Sequence, residues 1–448
     1  MARFSKRQLL GGLAHGAALM GASKVTAMST QKALVSPDDA RRLIDYFGSK
    51  APLLLREAGG HLKYPSISPS LPRSQYSSEL WDWDTMWTMR GLFHVARLTD
   101  DTVLRDRIAE HGRGCLANFF DHQSAEGRIP MLITVGNPDP LGALEGQRPN
   151  PRNQAKPVMA QMALLVADAT DEIDWFAPFF EPLRRFYESW TQDNLTPSGL
   201  LVWGNDVAIG NDNDPTTFGR PEFSSASLLL NGLYYNDLKA AAEIARRLGQ
   251  TDWQATFTAR LEPLAAAIQT QTWDRRDQFF YTADVQCRDR RAELIPNIRR
   301  GMDMSWQTIP LRIQTFTGFL PLWCGVATPE QAEALRRHYR DPETFNCRAG
   351  VRSLSAAETM YDLRASTNPS NWLGPVWIVV NYFVWRGLKD YGFEAEAAEL
   401  AGRTIRLLAD DLTASGSLNE YYHPETGQAL SHKGFMNWNL LVLEMLDA

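Results

Sequence analysis

Cysteine is scarce in this chain. Its 448 residues include four, Cys115, Cys287, Cys324 and Cys347. None forms a CxxC pair, so neither a zinc ribbon nor a redox dithiol is indicated. Histidine is also sparse, with eight residues and no HxH or HExxH spacing; His423 and His432 share one loop but lack a third ligand, which leaves them as satisfied loop histidines rather than metal ligands. Long basic blocks are missing too, and 46 Lys+Arg against 52 Asp+Glu gives a net charge of −6. Nucleic acid is therefore excluded as the main partner. Beyond the first 27 residues no run reaches the roughly 18 apolar residues a membrane span needs. No repeat of the length used by α-solenoids is visible.

What is present is a core. Apolar residues make up 44% of the chain, charged residues 22% and aromatic residues 10%, a balance that folds rather than staying disordered. Tryptophan is plentiful, with 14 residues, and its broad ring faces suit either a core or a sugar ring.

Residues 1–27 read as an export signal. Arg3, Lys6 and Arg7 precede a weakly apolar run from Leu9 to Ala22, and Val25-Thr26-Ala27 offers a small-residue cleavage site. The SKRQLL segment is twin-arginine-like, with Lys6 in place of the first arginine. A periplasmic or secreted location is expected, with residues 28–35 as a linker and one domain over 36–448.

Within that domain helical signals recur. Ser36 can cap a helix with Pro37 in its first turn and Asp39 three residues on, which predicts a helix to about Arg56. Further helices centre near residues 88, 111, 162, 183, 236, 262, 315, 333, 382, 404 and 440, with Gly249 and Gly392 placed as left-handed stops. Twelve helices in six hairpins predict an all-α (α/α)6 toroid. Residues 273–285 are expected to form a short β-hairpin. The non-periodic stretches 121–152, 193–223, 277–304 and 346–371 are long enough to expect function from them.

Two loops concentrate polar chemistry. In 203–225, WGNDVAIGNDNDPTTFGRPEFSS, counting from Asp212 puts Thr217 at the sixth position and Phe223 at the twelfth of a calcium loop, which rules out an EF-hand. In 417–438, SLNEYYHPETGQALSHKGFMNW, Glu420 sits among aromatic and hydrogen-bonding groups. Both loops follow an outer-type helix, so in a toroid they can open onto the same end. Facing carboxyls would support glycoside hydrolysis, one protonated to assist the leaving oxygen and the other ionised to activate water.

ELWDWDTMWTMRGL (79–92), GNDNDP (210–215), NWLGPVWIVVNYFVWRGLKDYG (371–392) and NEYYHPETGQ…GFMNW (419–438) resemble, in order, segments of glycoside hydrolase family 63 and the related trehalase-like (α/α)6 enzymes. The resemblance implies an inverting hydrolase of an α-glycosidic bond, an α-glucoside, with Asp212 as general acid and Glu420 as general base and no cofactor. It also implies a sugar pocket lined by Asp84, Gln154, Trp372, Trp377 and Asn381, with Trp81 and Trp83 flanking Asp84. Trp87 is expected in the core. Asp214 and Leu373 depart from the family pattern and bear on substrate choice, and Arg220, Arg352 and Arg364 could read an acidic sugar. The alternatives are an epimerase or lyase of the same fold, or a non-catalytic sugar binder. Of the histidines, only His94 falls on an expected inner helix.

Overall fold

A computed structural model of the chain describes residues 35–446 except 143, 145–152, 290, 296, 298–300, 302–304 and 365–369. The expected export signal and most of the expected linker lie outside the described residues.

Twelve labelled helices appear where the periodicity places them: α1 (Pro37–Lys50), α2 (Asp82–Leu98), α3 (Thr102–Asp121), α4 (Met159–Thr170), α5 (Phe180–Asp193), α6 (Leu228–Arg247), α7 (Thr251–Gln271), α8 (Leu320–Cys324), α9 (Pro329–Arg340), α10 (Ile378–Asp390), α11 (Glu394–Ser415) and α12 (Val442–Met445). A further helical turn spans Arg291–Leu294. The Ser36 hydroxyl accepts from the Asp39 N–H, as expected of a cap. Helix α1 stops earlier than predicted, however, and passes through a 3-10 turn at Ala51–Leu54. Pro52 is the cause, since it donates no N–H and crowds the residue before it. Helices α8 and α12 are short because their first turns, Phe316–Phe319 and Trp438–Leu441, wind as 3-10 helix.

Packing sorts the helices into two shells. Helix α2 touches α4, α4 touches α6, α6 touches α8 and α8 touches α10; the 3-10 turn before α12 then bridges α10 back to α2. That closes a ring of six inner helices. The others cover it, and α11 packs on α1 where the outer layer returns to its start. Inner helices are buried on almost every face: α10 exposes little beyond Arg386, Lys389 and Asp390. The molecule is an (α/α)6 toroid. Inner positions accept large apolar rings because little of the helix meets water, and Trp87 accordingly packs against Trp323, Tyr382 and Phe383.

Short strands pin the loops that join outer helices to the next inner helix. Glu79–Trp81 pairs antiparallel with Leu132–Thr134, and Tyr421–Tyr422 with Ala429–Ser431. The predicted hairpin is present as Trp273–Asp274 against Phe279–Phe280.

Candidate active site

Five of the outer-to-inner connections meet over the N-terminal ends of the inner helices. They enclose a small cavity of about 170 Å³ lined by Asp84, Asp212 and Glu420 together with Tyr76, Trp81, Trp83, Lys156 and Trp438. Thus three carboxyls from distant chain positions share one aromatic chamber. Larger clefts exist, including one of about 690 Å³ beside Arg105 and Arg113. Its acids Asp106 and Glu172 are engaged in ion pairs with those arginines, which leaves Glu110 without a second carboxyl to form an acid–base pair.

Asp84 stands in the first turn of α2. Its carboxylate accepts a 2.6 Å hydrogen bond from the Asn437 amide. Burial, opposed by Lys156 and reinforced by Asp82 and Asp212, pushes its pKa up to about 7. Next to it, Asp82 accepts from the Trp83 N–H at 2.6 Å and the Lys156 N–H at 2.7 Å, and the Lys156 ammonium lies 3.1 Å away. That ammonium also sits 5.3 Å from the Trp83 ring centre.

Asp212 is held by its neighbours in the loop. Asn213 donates to the Asn371 side chain at 3.0 Å and accepts the Trp372 N–H at 2.7 Å, tying the 203–225 loop to the segment before α10. Gly210 has φ +80°, and a Cβ there would fall 2.7 Å from Lys156 and 2.9 Å from Trp83. Only glycine lets the backbone pass so close to the cavity wall. Asp214 turns away from the cavity and accepts from Asn211, the Thr216 N–H and the Thr216 hydroxyl. Its departure from the family pattern therefore shapes the loop rather than touching a sugar.

Glu420 precedes the Tyr421–Tyr422 strand, and its N–H donates to Ser431 across the hairpin at 3.0 Å. It is 3% exposed. Burial first, then the charges of Asp212 and Asp84, hold its carboxyl well above the usual carboxylate range. Asp212 and Asp84 thus both oppose ionisation of Glu420, and Asp212 opposes that of Asp84.

The remaining expected site residues divide. Trp81 lines the cavity, its indole N–H fixed on Glu79 at 2.6 Å; Trp83 lines it as well. Trp372 and Trp377 do not. They stack on each other at 3.9 Å, form an aromatic layer with Trp438 and Tyr421, and donate their indole N–H groups to Ser370 and the Asn371 carbonyl. Asn381 is fully buried, with its amide used by the Val351 N–H, the Ala349 carbonyl and Thr404; it anchors a turn and is withdrawn as a sugar contact. Gln154 is buried and accepts from Ser189 at 2.9 Å, which ties its loop to α5. Leu373 lies outside the lining. The arginines are structural: Arg220 pairs with Asp284, Arg352 holds three carbonyls and Glu425, and Arg364 pairs with Asp362. His94 lies 3.4 Å from Glu444, away from the cavity.

Tyr76, Lys156, Trp438 and His432 were not expected here. Tyr76 adopts φ +65° and sets its ring edge-on to Trp81 and His432. A signal for Lys156 lay in NQAKP, where a basic residue follows the loop amide. His423 is satisfied as expected, accepting from two loop N–H groups. His432 is not: its Nε2 makes no hydrogen bond and faces Glu420 Oε2 at 3.5 Å. Among the described residues no three His, Cys, Asp or Glu side chains cluster as a metal site, and no helix is long and apolar enough to cross a membrane.

Asp84 makes stability depend on pH. Its folded pKa exceeds the unfolded value of about 3.9, so its contribution is complete below about pH 4 and lost as pH rises through about 7. The Asp84→Asn variant lacks that loss. Its melting temperature relative to the parent should therefore climb steadily between those two pH values; parallel curves would show that Asp84 is ionised throughout.

Residues 78–438 match the family model of the mannosylglycerate hydrolase MGH1-like glycoside hydrolase domain. The mannosylglycerate hydrolase of Thermus thermophilus is 33% identical over 144 residues, 31% of either chain. A probable mannosyl-oligosaccharide glucosidase of Schizosaccharomyces pombe is 27% identical over 216 residues, covering 46% of this chain and 24% of its own. These alignments span less than a third of the relatives' lengths. In fold, a GH63 mannosylglycerate hydrolase from Thermus thermophilus in complex with glucose superposes with TM-score 0.64 at 20% identity, over 89% of this chain and 99% of that one. Neutral trehalase Nth1 from Saccharomyces cerevisiae gives 0.58 at 16%, over 90% and 79%. With the family model spanning most of its length, the chain belongs to the mannosylglycerate hydrolase MGH1-like glycoside hydrolases.

Proposed function

We propose that this protein hydrolyses a terminal α-linked glucose or mannose with inversion, Asp212 acting as general acid and Glu420 as general base. The observation that carries this reading is the placement of both carboxyls in one small chamber walled by Trp81, Trp83 and Trp438. At about 170 Å³ the chamber suits one sugar ring and is below the usual range for larger ligands. The sugar residue at a chain end fits, and a polysaccharide running through does not. Asp84, at the chamber wall, is suited to accept sugar hydroxyls.

Inversion requires one proton on the pair. Burial, then the charges of Asp212 and Asp84, raises the Glu420 pKa, whereas turnover needs the proton on Asp212 and an ionised Glu420. A bound sugar and the attacking water supply donors that favour the Glu420 carboxylate. A lyase would instead use Tyr76 and His432, but family membership and the shared carboxyl chamber favour hydrolysis. The mannosyl names of the relatives support including α-mannosides beside α-glucosides.

The test is a panel of α-glucosides and α-mannosides, with proton NMR of the first sugar released. The β-anomer is expected; early appearance of the α-anomer would overturn inversion, and inertness toward the whole panel would remove the hydrolase reading. Export through residues 1–27 is also proposed, with periplasmic recovery of a chain shortened at that segment as its check.

A further inference from the structure

Each inverting turnover leaves a proton on the base and removes one from the acid. Water's oxygen bonds to the anomeric carbon, the glycosidic C–O bond breaks, Asp212 gives its proton to the leaving oxygen, and Glu420 takes one from the water. Before the next cycle Glu420 must lose that proton, although its side chain is only 4% exposed. The His432 side chain, at 18%, reaches farther toward solvent.

The hairpin sets these two side chains together. Glu420 N–H bonds to Ser431 O, which places His432 across from Glu420, and a register shift between Tyr421 and Tyr422 distorts the pair of strands. His432 itself adopts φ +45°, a conformation that costs a non-glycine residue energy and recurs at functional positions. Its ring is braced edge-on by Tyr76 at 5.5 Å. The facing atoms, Glu420 Oε2 and His432 Nε2, are both buried and neither has a hydrogen-bond partner. Two such atoms 3.5 Å apart are poised to join when the chamber fills, since acid–base contacts often tighten only in the substrate complex.

We infer that His432 is a positioning residue that orients Glu420 and relays its proton to solvent after each turnover. The O–H bond at Glu420 Oε2 breaks as an N–H bond forms at His432 Nε2, and the imidazolium then releases its proton to bulk water. The neutral ring is the resting form, because burial lowers the His432 pKa. Other charged or titratable groups around the pair are Asp212, Asp84, Tyr76 and Tyr421, and Lys156 also lines the chamber. Asp212 is only partly buried and regains its proton from bulk water, while the shut-in Glu420 loses its own outward through His432, so the cycle closes with no net proton gained or lost.

This inference rests on Glu420 being the base. His432→Asn is the chosen variant, because asparagine tolerates a left-handed backbone yet cannot carry a proton. It should lower kcat by roughly tenfold or more with KM little changed, and added imidazole should restore kcat saturably. Glu420→Gln should be slower by about 10²–10⁴-fold and imidazole should not revive it. An unaltered kcat in His432→Asn, or a slow variant that imidazole leaves slow, would overturn the relay while Glu420→Gln still tests the base. Undiminished activity in Glu420→Gln would instead remove the base assignment and the relay with it.

Discussion

Asp212→Asn and Glu420→Gln each reduce kcat on an α-glycoside by about 10²–10⁴-fold, the usual worth of a general acid or base, while the protein melts no earlier than the parent. For Glu420 the stability half of this expectation follows from burial. Burial and the nearby charges of Asp212 and Asp84 disfavour the ionised carboxylate, and glutamine matches its shape without charge. Asp212 and Glu420 then separate by leaving group. A glycosyl fluoride departs with little help from an acid, so Asp212→Asn should regain much of its rate on the fluoride, whereas Glu420→Gln, lacking water activation, should not. The reverse pattern would exchange the two roles, and equal rescue of both would dissolve the pairing.

Glu420 and Asp212 are legible in the sequence, and Tyr76 and His432 are not, because of what local sequence encodes. Helices announce themselves through 3.6-residue spacing and through caps such as Ser36, Gly249 and Gly392; the last two indeed carry φ of 70° and 78°. The toroid followed from twelve such segments. Failures came where a single residue overrules the period, as Pro52 does at the end of α1. The loop acids stood out because their composition is unusual and their segments resemble those of known hydrolases. The direction a side chain faces is not local. Trp372 and Trp377 belong to the right loop, yet their rings stack into a layer one step behind the chamber, and Asn381 turns its amide to a neighbouring turn. His432 looked like any loop histidine until the hairpin register set it opposite Glu420. Lys156 was hidden for the same reason: its partner, Asp82, lies 74 residues away.

Lys156→Met should destabilise the fold by about 3–5 kcal/mol, the usual cost of stripping one partner from a buried ion pair. Asp82 is wholly buried and Lys156 is 2% exposed. Methionine keeps much of the stem that lies against Gly210 and Trp83, so packing loss is small and the effect isolates the charge. The Asp82 carboxylate would retain the backbone N–H groups of residues 83 and 156, which sets the expectation nearer the lower figure. Removing both charges together, as Asp82→Asn with Lys156→Met, should recover much of the loss, because a neutral amide needs no counter-ion. Chemical denaturation of the four proteins in this cycle measures the coupling. If the double variant loses the sum of what the two single variants lose, the pair is not electrostatically coupled. Activity would add a second readout. Lys156 opposes the raised pKa of Asp84, so its loss shifts Asp84 further toward the protonated form and removes an acceptor from the sugar chamber near neutral pH. KM for the sugar should then rise in Lys156→Met and fall back as pH is raised and Asp84 ionises.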